Sequence, residues 1–291
     1  MPKPRPTPTV RLRRLAAEIK RLREAAGLTQ EEVSERTGKD RSTLYRLESA
    51  QQRPQRATLI QLLDLYGASQ EQRTELLTVL REAGQLGWMQ PLRADLPPVY
   101  SDYIGFESEA RSISNYESLY IPGLLQTEEY ARAVIRGTLP YASTEEVENR
   151  VRARLERQSL LSGDDPRQLW TIMDEAAVRR VVGGRLVMRE QLLRLHEAAA
   201  LPNVTVQIVP YEAGAHPGMP GAFIVLEFPD PIDQSLVYTE SLAGGLFLED
   251  DLEIRRYILL FDHLRAAAMR PGQTLTLLAE IAEELGKGGA G

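Results

Sequence analysis

Cysteine is absent from the 291 residues, which excludes a disulfide framework, a thiolate nucleophile and any cysteine-based metal site. Histidine is scarce. His196, His216 and His263 lie far apart and share no metal-ligand spacing, so no metal site is expected. Lysine is rare too: four lysines stand beside 31 arginines, a bias that points to a GC-rich genome rather than to a function. No run of about 18 apolar residues occurs and no secretory leader opens the chain, so the expected location is the cytosol. No Gly-rich phosphate loop of the usual pattern is present, and Gly183-Gly184 reads as a helix terminator.

What is present is enough apolar residue, 43%, to bury real cores, and a length that suits about two domains. The net charge of −6 is unevenly spread. Residues 1–66 carry 14 Lys and Arg against 8 Asp and Glu, whereas residues 67–291 carry 21 against 33. A basic N-terminal end attracts phosphate, and an acidic remainder repels it.

The most informative stretch is Thr29 to Pro54. Thr29 and Glu32 form a capping box that opens one short helix, with Val33 as its inward residue. Gly38 ends it, because glycine adopts the left-handed conformation a helix C-terminus favours. Asp40 is the N-cap candidate for a second helix whose apolar pair is Leu44 and Leu47. Its outward face is Arg41, Ser42, Thr43, Tyr45 and Arg46, which are donors and cations grouped where a recognition helix reads base edges. Gln30 at the first helix start, Lys39 in the turn and Arg53 after the second helix are placed to hold phosphates.

This stretch resembles the Xre/Cro–C1 family of DNA-binding domains. Leu28-Thr29-Gln30-Glu31-Glu32 and Arg41-Ser42-Thr43-Leu44, with Glu48 and Pro54, match the family run in register. The resemblance implies that Arg23 pairs with Glu48. Lys39 and Tyr45 stand where the family usually has an apolar residue and a serine, and Ala50 replaces the usual glycine.

Along the chain, residues 1–8 are an expected disordered arm carrying Lys3 and Arg5. The DNA-binding domain spans 9–83. Leu12, Leu15, Ile19 and Leu22 give its first helix, closed by Gly27, and Leu59, Leu62, Leu63 and Leu65 its fourth. A helix over 70–83, with Leu76, Leu77 and Leu80, either completes this domain or begins the linker. Glycines and prolines mark residues 84–98 as that linker, which Trp88 and Met89 pack against a domain, an exposed contact surface being the alternative.

Residues 99–285 read as an α+β domain, and 286–291 as a loose tail. Helices are expected over Tyr103–Ala110, from Thr127 through Ile135, over Glu145–Leu161 with arginines on its polar side, and over Asp174–Val182, Gln191–Ala199, Leu252–Met269 and Leu275–Leu285. Strands are expected at Ile113–Tyr116, Leu169–Met173, Val204–Val209, Ala222–Phe228 and Leu236–Thr239. The fold class is therefore multidomain: an all-α helix-turn-helix domain of Cro/C1 type, then an α+β domain with a mostly antiparallel sheet.

Enzymatic signals are thin. Asp174-Glu175 reads as a helix cap rather than a catalytic pair, and no catalytic residue or cofactor is expected. Gly214 to Gly221 reads as a wide hairpin between strands, a pocket wall being the alternative. Tyr116, Tyr120 and Tyr130 read as core tyrosines with satisfied hydroxyls.

Residues 120–131 (YIPGLLQTEEYA), Asp174-Glu175-Ala176-Ala177 with Arg179-Arg180, and 202–207 (PNVTVQ) resemble the C-terminal domain of a large actinobacterial regulator family. Its members pair an Xre-type helix-turn-helix with this domain and include WhiJ-like and antitoxin-like regulators. The resemblance implies a nucleoid-associated, homodimeric repressor of double-stranded operator DNA. Its C-terminal domain would bind a small BldB-like partner protein or a small-molecule effector. The alternative is an antitoxin-like module that neutralises a small partner and autoregulates its operon.

Overall fold

The computed structural model describes residues 10–82, 96–230, 233–242 and 244–287. The expected arm, the linker up to residue 95 with Trp88 and Met89, and the tail from residue 288 lie outside them. The chain divides into two compact units, Met1–Phe106 and Glu107–Gly291.

The first unit holds five helices among its described residues: α1 Val10–Ala25, α2 Gln30–Thr37, α3 Arg41–Glu48, α4 Arg56–Leu65 and α5 Gln70–Glu82. Leu15, Ile19 and Leu22 from α1 meet Val33 of α2, Leu44 and Leu47 of α3, and Leu59, Leu62 and Leu63 of α4 in one core. Leu76, Val79 and Leu80 join the same core, so α5 completes this unit rather than beginning a linker. Each such side chain contributes about 1.5–3 kcal/mol by leaving water.

Local signals set the α2–α3 turn. Thr29 and Glu32 make the capping box in both directions, and Gly38 sits at φ 66° with its N–H donating to the Ser34 carbonyl. Asp40 occupies the N-cap of α3, but its side chain makes no capping bond. Its carbonyl instead accepts from the Thr43 and Leu44 amides at 2.8 and 3.1 Å, and the backbone alone starts the helix.

A further helix, α6 (Pro98–Glu109), begins at a proline, which suits a first helical turn whose N–H has no partner. The second unit is built on one six-stranded sheet in the order β3-β2-β1-β4-β5-β6. The strands are β1 Ser112–Glu117, β2 Gln168–Asp174, β3 Val204–Val209, β4 Phe223–Glu227, β5 Leu236–Ser241 and β6 Gly244–Leu248. The first three run parallel, and the pairings β1–β4, β4–β5 and β5–β6 are antiparallel. The sheet is therefore mixed and mostly antiparallel.

Helices α7 (Glu128–Thr138) and α8 (Thr144–Arg157) connect β1 to β2; α9 (Glu175–Arg179) and α10 (Arg185–Ala198) connect β2 to β3. Helices α11 (Asp251–Ala267) and α12 (Pro271–Lys287) close the chain. α11 lies over one sheet face, where Ile254, Phe261 and Leu264 pack on Tyr116, Phe223, Val225 and Val237.

One strand escapes the sequence reading, and two expectations need correction. β6 does not read as a strand because it opens on Gly244-Gly245, the composition of a turn. Gly245 is in the strand because the Tyr238 ring lies over it, where an added Cβ would come within 2.5 Å of the ring. The connection from β3 to β4 is not a hairpin: β2 and β1 lie between those strands, so residues 210–222 cross the carboxyl ends of both. Arg157 is not on a polar face. It is buried and donates to Glu107 through Nε at 2.6 Å and a terminal nitrogen at 2.7 Å.

Candidate nucleic-acid interface

Glu48, at the end of α3, organises the helix-turn-helix. Arg23 on α1 donates to it through Nε at 2.6 Å and a terminal nitrogen at 3.1 Å. Gln30, the first residue of α2, donates to the same carboxylate at 2.8 Å. The Arg23 guanidinium also reaches the Leu28 carbonyl at 2.7 Å. One ion pair thus fixes the start of α2 and the end of α3 against α1, as the sequence resemblance implies. The hydrogen bond to Glu48 holds the Arg23 pKa above its ordinary value, against the opposing effect of burial. Beside this pair, burial pushes the Tyr66 phenol well above its usual range, with the Glu48 charge adding to the shift.

The start of α3 carries an open cleft of about 460 Å³ lined by Gln30, Arg41, Ser42, Tyr45, Arg46 and Gln51. Five residues singled out from the sequence therefore share one surface. Tyr45 is 56% exposed, unusual for an aromatic side chain at the middle of a helix. Arg46 is held in place by two acceptors, Thr43 Oγ1 at 2.9 Å and Gln52 Oε1 at 3.1 Å. Arg41, the first residue of α3, pairs with Glu31 in the first turn of α2, with both side chains more than half exposed. Exposed pairs of this kind contribute at most about 1 kcal/mol, so Arg41 is cheaply released to another anion.

The remaining sequence candidates fall elsewhere. Thr43 is half-buried and acts on Arg46. Lys39 sits in the turn, where its carbonyl accepts from Ser34 Oγ at 2.7 Å. Arg53 is turned away from the group. It donates to the Leu80 carbonyl of α5 and lines a separate cleft with Arg56, Thr74, Leu77 and Thr78.

Gln51 escapes a reading of helical faces because it lies beyond α3. The chain reverses just before it, at Ala50, which adopts φ 56° as the only non-glycine residue with positive φ among those described. The glycine usual at this point carries that signal, and alanine hides it.

Around the start of α9 the titratable groups of the second unit are engaged with one another. Asp174 caps α9 through Oδ1, which accepts the Ala176 amide at 2.8 Å, and its Oδ2 lies 3.2 Å from His216 Nε2. The Gly218 amide donates to His216 Nδ1 at 3.3 Å, so the neutral ring carries its proton on Nε2, toward Asp174. Glu175 binds Arg179 at 2.5 Å and accepts from the Tyr211 amide at 2.8 Å. Of the three tyrosines, Tyr116 and Tyr130 are core residues and only in part satisfied, whereas Tyr120 is half-buried. Tyr130 Oη accepts the Ile121 amide at 3.2 Å, whereas the buried Tyr116 hydroxyl has no hydrogen-bond partner among the described residues.

Among the described residues no helix is long and apolar enough to cross a membrane, and no group of three or more His, Asp and Glu could hold a metal ion. The architecture is that of a helix-turn-helix regulator carrying an α+β domain. Residues 14–76 match a family model described as a helix-turn-helix domain. Residues 100–280 match the model described as "Domain of unknown function (DUF5753)", and with well over half of its length matched the chain belongs to that family. No curated protein matches the chain, and no solved structure matches it.

Proposed function

We propose that the protein is a sequence-specific DNA-binding transcriptional repressor. It acts as a homodimer on operator half-sites about one helical turn apart. What carries this reading is the gathering of Gln30, Arg41, Ser42, Tyr45 and Arg46 in one open cleft at the start of α3, in the N-terminal part of the chain where basic residues outnumber acidic ones. Arg41, Ser42, Thr43, Tyr45 and Arg46 read bases, and Gln51 joins them. Lys39 and Gln30 hold phosphates, Gln30 through the part of its amide not bound to Glu48. Arg53 meets the backbone at the flank, once released from the Leu80 carbonyl. The α+β domain binds a ligand or partner protein that shifts DNA affinity by favouring one of two states.

The test is fluorescence anisotropy of the full chain on DNA from upstream of its own gene, with random DNA as control and a salt titration on both. Tight, selective binding is expected. Equally weak and steeply salt-dependent binding to both DNAs would overturn sequence-specific recognition by this chain alone.

A further inference from the structure

The two arginines of the α3 cleft are held differently. Arg41 is paired with a carboxylate, that of Glu31. Arg46 is held from two sides by uncharged oxygens. The chain reverses at Ala50, φ 56°, and the residues after it fold back along α3. The Gln52 amide donates to the Arg46 carbonyl at 3.0 Å. The Gln52 side chain then turns to the same residue, and its Oε1 accepts from Arg46 Nε at 3.1 Å. Thr43, one turn back on α3, accepts from a terminal nitrogen at 2.9 Å. A loop residue and a helix residue thus fix one guanidinium between them.

The character of these acceptors decides what the group can still do. An amide oxygen and a hydroxyl oxygen orient the guanidinium without cancelling its charge. They use two of its five N–H groups. The three that remain are spread over both terminal nitrogens, which is enough for a two-pronged fork. Such a fork matches two neighbouring acceptors in one plane. In the major groove guanine presents that pair, N7 and O6, whereas adenine presents N7 beside a donor. Arg46 is half-buried and lines the open cleft, so its fork is set before DNA arrives and less side-chain freedom is lost on binding.

We infer that Arg46 reads a guanine in each operator half-site, and that Gln52, which lies outside the recognition helix, is the positioning residue that sets this preference. The inference rests on the DNA-binding function proposed above and deepens it. It also gives the left-handed turn at Ala50 a role, since that turn brings Gln52 back to Arg46.

The test is selection from a randomised duplex pool by the full chain as wild type, Arg46→Ala, Gln52→Ala and Gln52→Glu. Anisotropy then follows on the selected duplex with each base pair exchanged in turn. The wild type should require one G·C pair per half-site, its exchange for A·T costing about tenfold or more in affinity. Arg46→Ala should be indifferent at that pair. Gln52→Ala should lose most of the preference there and keep it at every other pair. Gln52→Glu retains an acceptor oxygen for Nε and should retain the guanine preference, while its added charge weakens binding to all duplexes alike. Gln52 is exposed, so neither substitution should change thermal unfolding. A Gln52→Ala loss spread evenly over all pairs, an unchanged guanine preference in that variant, loss of the preference in Gln52→Glu, or an Arg46-dependent pair other than G·C would each overturn the inference and leave operator recognition standing. Enrichment of no sequence by the wild type would overturn both, and is told apart because no base pair would then matter to any of the four chains.

Discussion

The two units use the same chemical pair in opposite ways. In the first, Arg23 and Glu48 are largely buried and bidentate, but the neighbouring pair Arg41–Glu31 is open to solvent. In the second, Arg157–Glu107 is sealed, with side chains 4% and 1% exposed, and the other charged groups near the sheet are tied to caps and loops. The difference teaches where each unit keeps its chemistry. The helix-turn-helix commits one ion pair to shape and leaves its remaining cations loosely held for an incoming polyanion. The α+β domain seals its bidentate pair away from solvent, as part of its core.

The contrast is broken most sharply at the sealed pair. Arg157→Leu leaves Glu107 buried without its partner and should destabilise the second unit by about 3–5 kcal/mol. Arg23→Leu, at a pair with side chains 11% and 6% exposed, should cost less, about 2–3 kcal/mol, and act on the first unit. Urea unfolding followed by tryptophan fluorescence and by circular dichroism would separate the two; equal losses would erase the distinction.

The next effect is on pH dependence. Burial, with the Glu240 charge, raises the Glu117 pKa to about 8, against the Asn115 hydrogen bond and Arg154. A carboxyl raised on folding binds its proton more tightly in the folded state. It therefore favours folding fully below its unfolded pKa, and that contribution is lost as pH rises through about 8. Stability should fall between pH 5 and 9 by on the order of 3 kcal/mol, and Glu117→Gln should remove most of that slope. Parallel slopes in the two proteins would assign the pH dependence elsewhere.

At the DNA end, Arg41→Ala should reduce discrimination between operator and random DNA by about 1–3 kcal/mol if Arg41 reads a guanine. Glu31→Gln should act in the other direction on random DNA, tightening it by several-fold, because it removes a repelling carboxylate and frees Arg41. Equal losses on both DNAs for Arg41→Ala would make it a phosphate contact. The smallest effect is at Ala50. Relief of its positive φ in Ala50→Gly should stabilise the first unit by about 1 kcal/mol, read as a rise in its unfolding midpoint. No gain would mean that the buried methyl group offsets the strain.

The sequence by itself determined whatever depends on neighbours along the chain. The capping box at Thr29, the glycine stop at Gly38, the apolar spacing of α1 to α4 and five of the six strands follow from local geometry and side-chain period. The clustering of Gln30, Arg41, Ser42, Tyr45 and Arg46 was legible for the same reason, since a short turn between two helices leaves little freedom. Tertiary structure decided what depends on which distant segments meet. β6 exists because Tyr238 covers Gly245, a cross-strand contact that outweighs the turn propensity of glycine. Arg157 is buried because Glu107, 50 residues away, compensates its charge. Arg53 turns to α5 because it donates to the Leu80 carbonyl near the end of that helix, 27 residues away. The path of residues 210–222 was beyond any local signal, because strand order is set by the packing of the whole sheet. That order laid the loop over the carboxyl ends of β2 and β1 and made it the wall of a cleft.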